Sequence, residues 1–139
     1  MYYNKIIPEL DVRDIKKSLH FYQDILGFQL EYERREDKFV FLSLGEIQFM
    51  LQELDTQNNK WETGKLEYPF GRGINFQLEV KNVDCIYHNV LANHYDVTVD
   101  MEENWYRKDN ELLGNREFLI MDPDGYLLRF SQDLGKKRV

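Results

Sequence analysis

Two six-residue segments match in character at every position, and this match constrains the fold more than any other feature of the sequence. Leu10–Ile15 has the sequence LDVRDI and Leu78–Val83 has LEVKNV, an offset of 68 residues. The fifth residue of each segment, Asp14 or Asn82, is a type that caps the N-terminus of a helix. An internal duplication is therefore expected, and the alternative is a coincidence within an ordinary α+β chain.

The order of predicted elements supports the duplication, because each half has a strand, a helix and then three strands. The first helix has a three- and four-residue apolar spacing and stops at Gly27. The predicted strands are 6–12, 28–33, 38–44, 46–54, 74–80, 97–101, 116–121 and 126–131, with helices at 15–26 and 83–91. The prediction is one α+β domain over residues 1–139, with two tandem βαβββ modules (5–54 and 73–132, joined by 55–72) whose curved sheets surround a cleft.

Composition narrows the functional classes. With 139 residues and 42% hydrophobic content, the chain suits one compact core, and no apolar run is long enough to span a membrane. Cys85 is the single cysteine, which excludes an internal disulfide and a cysteine cluster for zinc and predicts a cytoplasmic protein. The net charge of −7 disfavours nucleic acid as a partner. It fits either a cationic partner or plain solubility.

The chain resembles a known superfamily in two places. Residues 8–28 follow the pattern PxLxxRDIxxSLxFYxDxLGF, and residues 114–118 (GNREF) and 122–130 (DPDGYLLRF) complete it. These motifs resemble the vicinal-oxygen-chelate superfamily (glyoxalase, bleomycin resistance protein, dioxygenase), and most of all the bleomycin resistance proteins. The resemblance covers residues 5–132 and implies the two-module fold, but fold alone does not choose a function within this superfamily.

In the enzymes of this superfamily, a metal is held by His, Glu or Gln on the first and last strands of each half. The corresponding positions here are Ile7, Met50, Asn75 and Arg129. Isoleucine and methionine do not bind a hard cation through oxygen, and an arginine would repel a divalent ion. No metal and no other cofactor is therefore expected at these positions.

The resemblance to drug-binding relatives implies a homodimer that binds an aromatic, cationic small molecule between aromatic faces and carboxylates. Glu103, Trp105 and Tyr106 are neighbours in the sequence, and Trp61 lies beside a carboxylate in the connecting segment. Phe49, on a predicted strand, is a further candidate contact. The alternative for the two tryptophans is packing against their own loops.

Arg129 is also a candidate for ligand binding, because alternation along the last strand places it on one face of the sheet with Leu127. Its partner would be Glu117, Glu46 or an acidic group of a ligand, and a purely structural ion pair is the alternative. Pro8 in the first strand suggests an edge strand, or an N-terminal arm that crosses to a partner subunit as in the resistance proteins.

These observations predict a non-enzymatic protein that sequesters a bleomycin-type drug. One alternative is a lyase or dioxygenase of the superfamily acting on an unknown metabolite, including a metal-free enzyme that uses Glu103, Glu117 or Tyr106 as acid or base. Another is a regulatory protein. No nucleic acid or membrane partner is expected.

Overall fold

The computed structural model, which describes residues 2–55 and 60–139, contains two four-stranded mixed sheets. The first module has β1 (Glu9–Val12), α1 (Ile15–Leu19), β2 (Gln29–Arg34), β3 (Phe39–Leu44) and β4 (Ile47–Glu53). The second has β5 (Asn75–Glu79), α2 (Val83–Ala92), β6 (Val99–Lys108), β7 (Glu111–Met121) and β8 (Leu127–Arg138). The predicted α+β class and its two βαβββ modules are confirmed.

Both sheets have the same strand order, with the module's first strand next to its last. The order is β1-β4-β3-β2 in one sheet and β5-β8-β7-β6 in the other, and the first and last strands of each module pair in parallel. Glu9 lies opposite Met50, and Gln77 lies opposite Arg129. Glu9 and Gln77 are separated by the same 68 residues as the repeated segments.

The helix caps lie where the sequence predicts them, but the first helix changes its winding. Asp14 accepts hydrogen bonds from the backbone of Lys16 and Lys17, and Asn82 accepts one from Cys85. After α1 the chain continues as a π-helix over His20–Ile25, in which the Leu26 amide bonds to the Phe21 carbonyl. The single α-helix predicted over 15–26 is thus only partly correct.

Each module packs its helical side onto one face of its own sheet. In the first, Tyr22 meets Phe28 and Phe49 edge to face, with ring centroids 5.4 and 6.1 Å away. In the second, Tyr87 of α2 contacts Phe118, which stacks on Phe130. These packed faces exclude water, and the other face of each sheet carries polar side chains together with apolar ones. We call that second face the open face of its sheet.

The contacts of the chain divide it into two compact units. One comprises the described residues of Met1–Phe70 with Pro123–Gly125, and the other comprises Gly71–Asp122 with Tyr126–Val139. The single domain over 1–139 stays a prediction. Among residues 2–55 and 60–139, no helix combines the length and the apolar character needed to cross a bilayer.

Candidate functional site

A buried glutamate organises the open face of the second sheet. Glu117 lies next to Phe118 in β7, so strand alternation directs its side chain away from α2. Its Oε1 accepts hydrogen bonds from Tyr106 Oη at 2.6 Å and Asn104 Nδ2 at 3.1 Å, and its Oε2 lies 3.3 Å from Arg129 Nη2. Glu117 is 2% exposed. We call Asn104, Tyr106, Glu117 and Arg129 the Glu117 cluster.

The cluster changes the acidity of Tyr106. Its phenol donates to the Glu117 carboxylate, and this hydrogen bond, followed by burial and by the negative charge of Glu117, raises the pKa of Tyr106 above its usual value. The Tyr106 hydroxyl thus acts as a hydrogen-bond donor to Glu117, and the hydrogen bond makes the phenol a weaker acid than an ordinary tyrosine. The short distance to Glu117 fixes the orientation of the carboxylate.

Arg129 pairs with Glu117, one of the partners considered from the sequence. The carboxylate side chain is 3% exposed and the arginine side chain 28% exposed. Asn104 also belongs to the cluster, although the sequence analysis does not identify it. The convergence of these residues depends on the β6–β7 and β7–β8 registers, and alternation within β6 was the one signal in the sequence that could have placed Asn104 with Tyr106.

Trp105 and Tyr106 lie within β6, and their side chains point to opposite faces of the sheet. The Trp105 ring covers Gly114, with the ammonium group of Lys137 4.0 Å from the ring centroid, and its Nε1 donates to Glu103 Oε2 at 3.1 Å. The structure therefore groups Glu103 with Trp105 and leaves Tyr106 in the Glu117 cluster. The expectation of one shared set required a loop at these positions, and the residues form a strand.

The first module contains an acidic pocket of about 470 Å³ near the ends of β1 and β4. Trp61, Gln52, Leu54 and Lys38 contribute to its wall. Six carboxylates also line it, those of Asp11, Glu36, Asp37, Glu53, Asp55 and Glu62. Since Lys38 is the one cation among the lining residues, the pocket has an excess of negative charge that favours a cationic occupant.

Two of these carboxylates differ in their acidity. Glu53 accepts from the Ile15 amide and from Lys38 Nζ, each at 3.0 Å, and these contacts, the amide first, lower its pKa. Burial, followed by repulsion from Glu62, raises the pKa of Asp11. Burial and then the charge of Asp11 likewise raise the pKa of Glu9, a neighbour on β1. Asp11 is thus a carboxylate that a bound cation would stabilise.

The two aromatic candidates of the first module lie in contrasting places. Trp61 lines the acidic pocket with 69% of its surface exposed, and the Lys60 ammonium lies 4.8 Å from its ring centroid. Phe49 is 2% exposed and stacks on Phe28 in the core, with ring centroids 5.9 Å apart. Phe49 is therefore a core residue in this structure, because alternation in β4 turns it away from the open face that Met50 occupies.

The residues at the superfamily's metal positions do not fit a divalent ion. Ile7 and Met50 offer no oxygen donor, Asn75 is exposed at the start of β5, and Arg129 brings a guanidinium already paired with Glu117. Among residues 2–55 and 60–139, no group of three or more His, Cys, Asp or Glu side chains is arranged to hold a metal.

The fold and the site define a class: a protein of two βαβββ modules whose residues at the expected metal positions do not form a metal-ligand set. Residues 8–130 match the model of the Glyoxalase/Bleomycin resistance protein/Dioxygenase superfamily, and the chain belongs to this superfamily. It is 28% identical over 137 residues to bleomycin resistance proteins of Geobacillus stearothermophilus and Staphylococcus aureus. Each alignment covers 92% of this chain and 96% of the relative.

Solved structures agree on the fold. TioX from Micromonospora sp. ML1 has a TM-score of 0.69 at 18% identity, covering 95% of this chain and all of that chain. The fosfomycin resistance protein FosX from Listeria monocytogenes has a TM-score of 0.61 at 18% identity, covering 95% and 94%. At these identities the likeness shows the fold alone, so function must be argued from the residues of this chain.

Proposed function

We propose that this protein binds a planar, cationic small molecule of the bleomycin type and holds it without changing it chemically. The observation that carries the proposal is the acidic pocket, in which six carboxylates and one ammonium group surround a cavity beside an exposed indole. Carboxylates attract a basic tail, and an indole offers a face to an aromatic ring or a cation. The relatives named bleomycin resistance proteins, which align with nearly the whole chain, support the same ligand class.

The absence of chemistry is supported by the residues at the four metal positions. An apolar side chain, a thioether, an amide and an ion-paired guanidinium do not form a ligand set for the metal ion that would supply the Lewis acid in a lyase or dioxygenase of this superfamily. In the Glu117 cluster, the raised pKa of Tyr106 makes it a weak acid at neutral pH. The residues at the four metal positions and in the Glu117 cluster therefore support a binding function without catalysis.

Calorimetric titration of metal-free bleomycin tests the proposal. We expect saturable binding that weakens with added salt, and recovery of the intact drug by mass spectrometry. The double variant Asp11→Asn/Glu62→Gln should bind about fivefold more weakly at low salt, because it removes two pocket carboxylates. Trp61→Ala should weaken the binding free energy by roughly 0.5–2 kcal/mol, because it removes the indole face.

The matched control is Asp96→Asn/Asp109→Asn, which changes the net charge by the same amount at exposed sites outside the pocket. It should bind like the wild type. A wild type without saturable binding would exclude drug sequestration. An equal loss of affinity in both double variants would mean that overall charge, and not the pocket, determines binding. Recovery of a chemically modified drug would indicate catalysis.

We also infer that two copies associate through the N-terminal segment. Tyr2, Tyr3 and Ile6 are exposed, at 73, 52 and 84% of their surfaces. The segment has a defined path, because the buried Gln48 side chain donates to the Tyr2 carbonyl and accepts from the Asn4 amide. Large apolar side chains held in place at a surface are typical of an interface.

A further inference from the structure

Arg129 has hydrogen-bonding capacity that the protein does not use. A guanidinium carries five N–H donors. Among the described residues, the Arg129 side chain makes one hydrogen bond, from Nη2 to Glu117 Oε2 at 3.3 Å. With its side chain 28% exposed, the remaining donors are partly withdrawn from water. A charged group in that position favours a ligand that supplies acceptors.

The Glu117 cluster holds this arginine in place. The Glu117 carboxylate is itself fixed by Tyr106 and Asn104, so the anchor of Arg129 cannot turn freely. A side chain held in advance loses less conformational entropy when a ligand binds. Arg129 is therefore preorganised to donate from the open face of the second sheet.

The neighbours of Arg129 on the open face define the rest of the site. Gln77 lies opposite it on β5 and is exposed, and its side chain makes no hydrogen bond to any residue that the structure describes. Leu119 lies opposite it on β7 and is half-buried. The row Gln77, Arg129, Leu119 thus presents an amide, a guanidinium and an apolar surface side by side.

The local charge selects a neutral ligand over an anion. Glu117 compensates Arg129, and Glu102, whose Oε1 accepts from Asn104 Nδ2 at 3.0 Å, adds a further negative charge. A carboxylate would be repelled by these two groups, whereas a carboxamide oxygen accepts from the guanidinium without that penalty. The NH₂ of the same carboxamide can donate to the Gln77 side-chain oxygen.

We propose that Arg129 and Gln77 bind the carboxamide of a neutral aromatic compound, with its ring against Leu119. This site lies wholly in the second module and shares no residue with the acidic pocket of the first, so the two proposals are tested independently. It also assigns a role to the residue found where a metal ligand would stand in the related enzymes.

The test is an NMR titration of the ¹⁵N-labelled protein with benzamide, following the Arg129 Nε–Hε signal and the amides of β5 and β8. Arg129→Met gives the second module the residue that Met50 provides in the first. It should weaken benzamide binding roughly tenfold or more, since a hydrogen bond to a charged group contributes about 1.5–3 kcal/mol. Benzoate should bind more weakly than benzamide.

Arg116→Met is the matched control, because Arg116 lies on the α2 face and donates to both oxygens of Asp84. It should bind benzamide like the wild type. If Arg129→Met fails to fold, Gln77→Ala, at an exposed position, should still weaken binding severalfold. Absence of benzamide binding to the wild type, equal binding to the Arg129 and Gln77 variants, or tighter binding of benzoate would each overturn the proposal.

Discussion

At the scale of single residues, Glu117 sets the properties of its neighbours. Replacing it by glutamine keeps its size but removes the charge that raises the pKa of Tyr106, so Glu117→Gln should lower that pKa towards its usual value. It should also destabilise the fold by about 1–3 kcal/mol, because Arg129 loses its partner. The titration of the Tyr106 phenol is obtained by subtracting the absorbance titration of the corresponding Tyr106→Phe variant. Urea unfolding measures the stability.

An unchanged tyrosine titration in Glu117→Gln would contradict the hydrogen bond. The raised pKa of Tyr106 also predicts how the stability of the fold depends on pH. A raised folded pKa contributes stability that is complete below the unfolded value, about 10, and is lost as the pH rises through the folded value. The wild type should therefore lose more stability than Tyr106→Phe as the pH rises through that range.

Gly114 tests the position of Trp105. A Cβ added at Gly114 would lie 2.5 Å from Cζ3 of the Trp105 ring, so Gly114→Ala must displace the indole and weaken its contact with Lys137. In a Trp61→Phe background, we expect a red-shifted emission and a destabilisation of up to about 1 kcal/mol. Gly64→Ala is the control, since nothing lies within 4 Å of its added Cβ. An unchanged spectrum would mean that Trp105 lies elsewhere.

At the scale of elements, the sequence predicts which helices and strands exist, and in what order, better than it predicts their lengths. The caps at Asp14 and Asn82 were predictable because one local side chain creates each of them. The π-helix of His20–Ile25 was not, since its widened turns have no distinct apolar period. Strand β6 was predicted to stop at Met101 but continues to Lys108. Charged residues on both of its faces hide the alternation by which a strand is recognised.

The candidate site is predictable from the sequence only in part, because its residues come from different strands. Residue type alone marks Arg129 and Tyr106 as candidates, and pairing between strands brings them together. Trp105 and Tyr106 are adjacent in the sequence, but neighbouring side chains of a strand point to opposite faces, whereas those of a loop can lie side by side. The acidic pocket collects side chains from β1, β4 and two connections, and no local pattern reveals such convergence.

The turn between β7 and β8 provides a test at this scale. Asp124 is nearly buried and accepts from Arg13 Nε at 2.8 Å, from the Arg13 amide and from Ser18 Oγ. Asp124→Asn keeps the shape but removes the charge, so it should lower the free energy of unfolding by about 1–3 kcal/mol. Urea denaturation measures this. Asp133→Asn, at an exposed position of β8, should cost less than about 0.5 kcal/mol, and equal effects would refute the role of Asp124.

At the scale of the whole molecule, the net charge of −7 makes carboxylate protonation a control on both stability and binding. The raised pKa of Asp11 means that its charged form is disfavoured by folding. The associated stability is complete below the unfolded pKa, about 3.9, and is lost as the pH rises through the higher folded value. Asp11→Asn should therefore stabilise the protein at neutral pH, as thermal unfolding would show, with Asp133→Asn as control.

Binding of a cation has the opposite dependence on pH. It should weaken as the pH falls through the raised pKa of Asp11, because the pocket loses a negative charge there, and Asp11→Asn should flatten that part of the profile. Calorimetric titration over this range measures the profile. A wild type and an Asp11→Asn variant with identical profiles would remove Asp11 from the site.

Association of two copies is the last property of the whole molecule that the structure makes testable. Tyr2 and Ile6 are the most exposed large apolar residues among the described part of the N-terminal segment, from residue 2 onwards, and burying both on a partner would add several kcal/mol at about 25 cal/mol per Å² of apolar surface. The wild type should therefore have the mass of two chains in light scattering. Tyr2→Ser/Ile6→Ser should have the mass of one, while Leu91→Ser, at an exposed apolar position on α2, should remain a dimer. A wild type with the mass of one chain at tens of micromolar, or a double variant with the mass of two, would exclude the N-terminal segment as the interface.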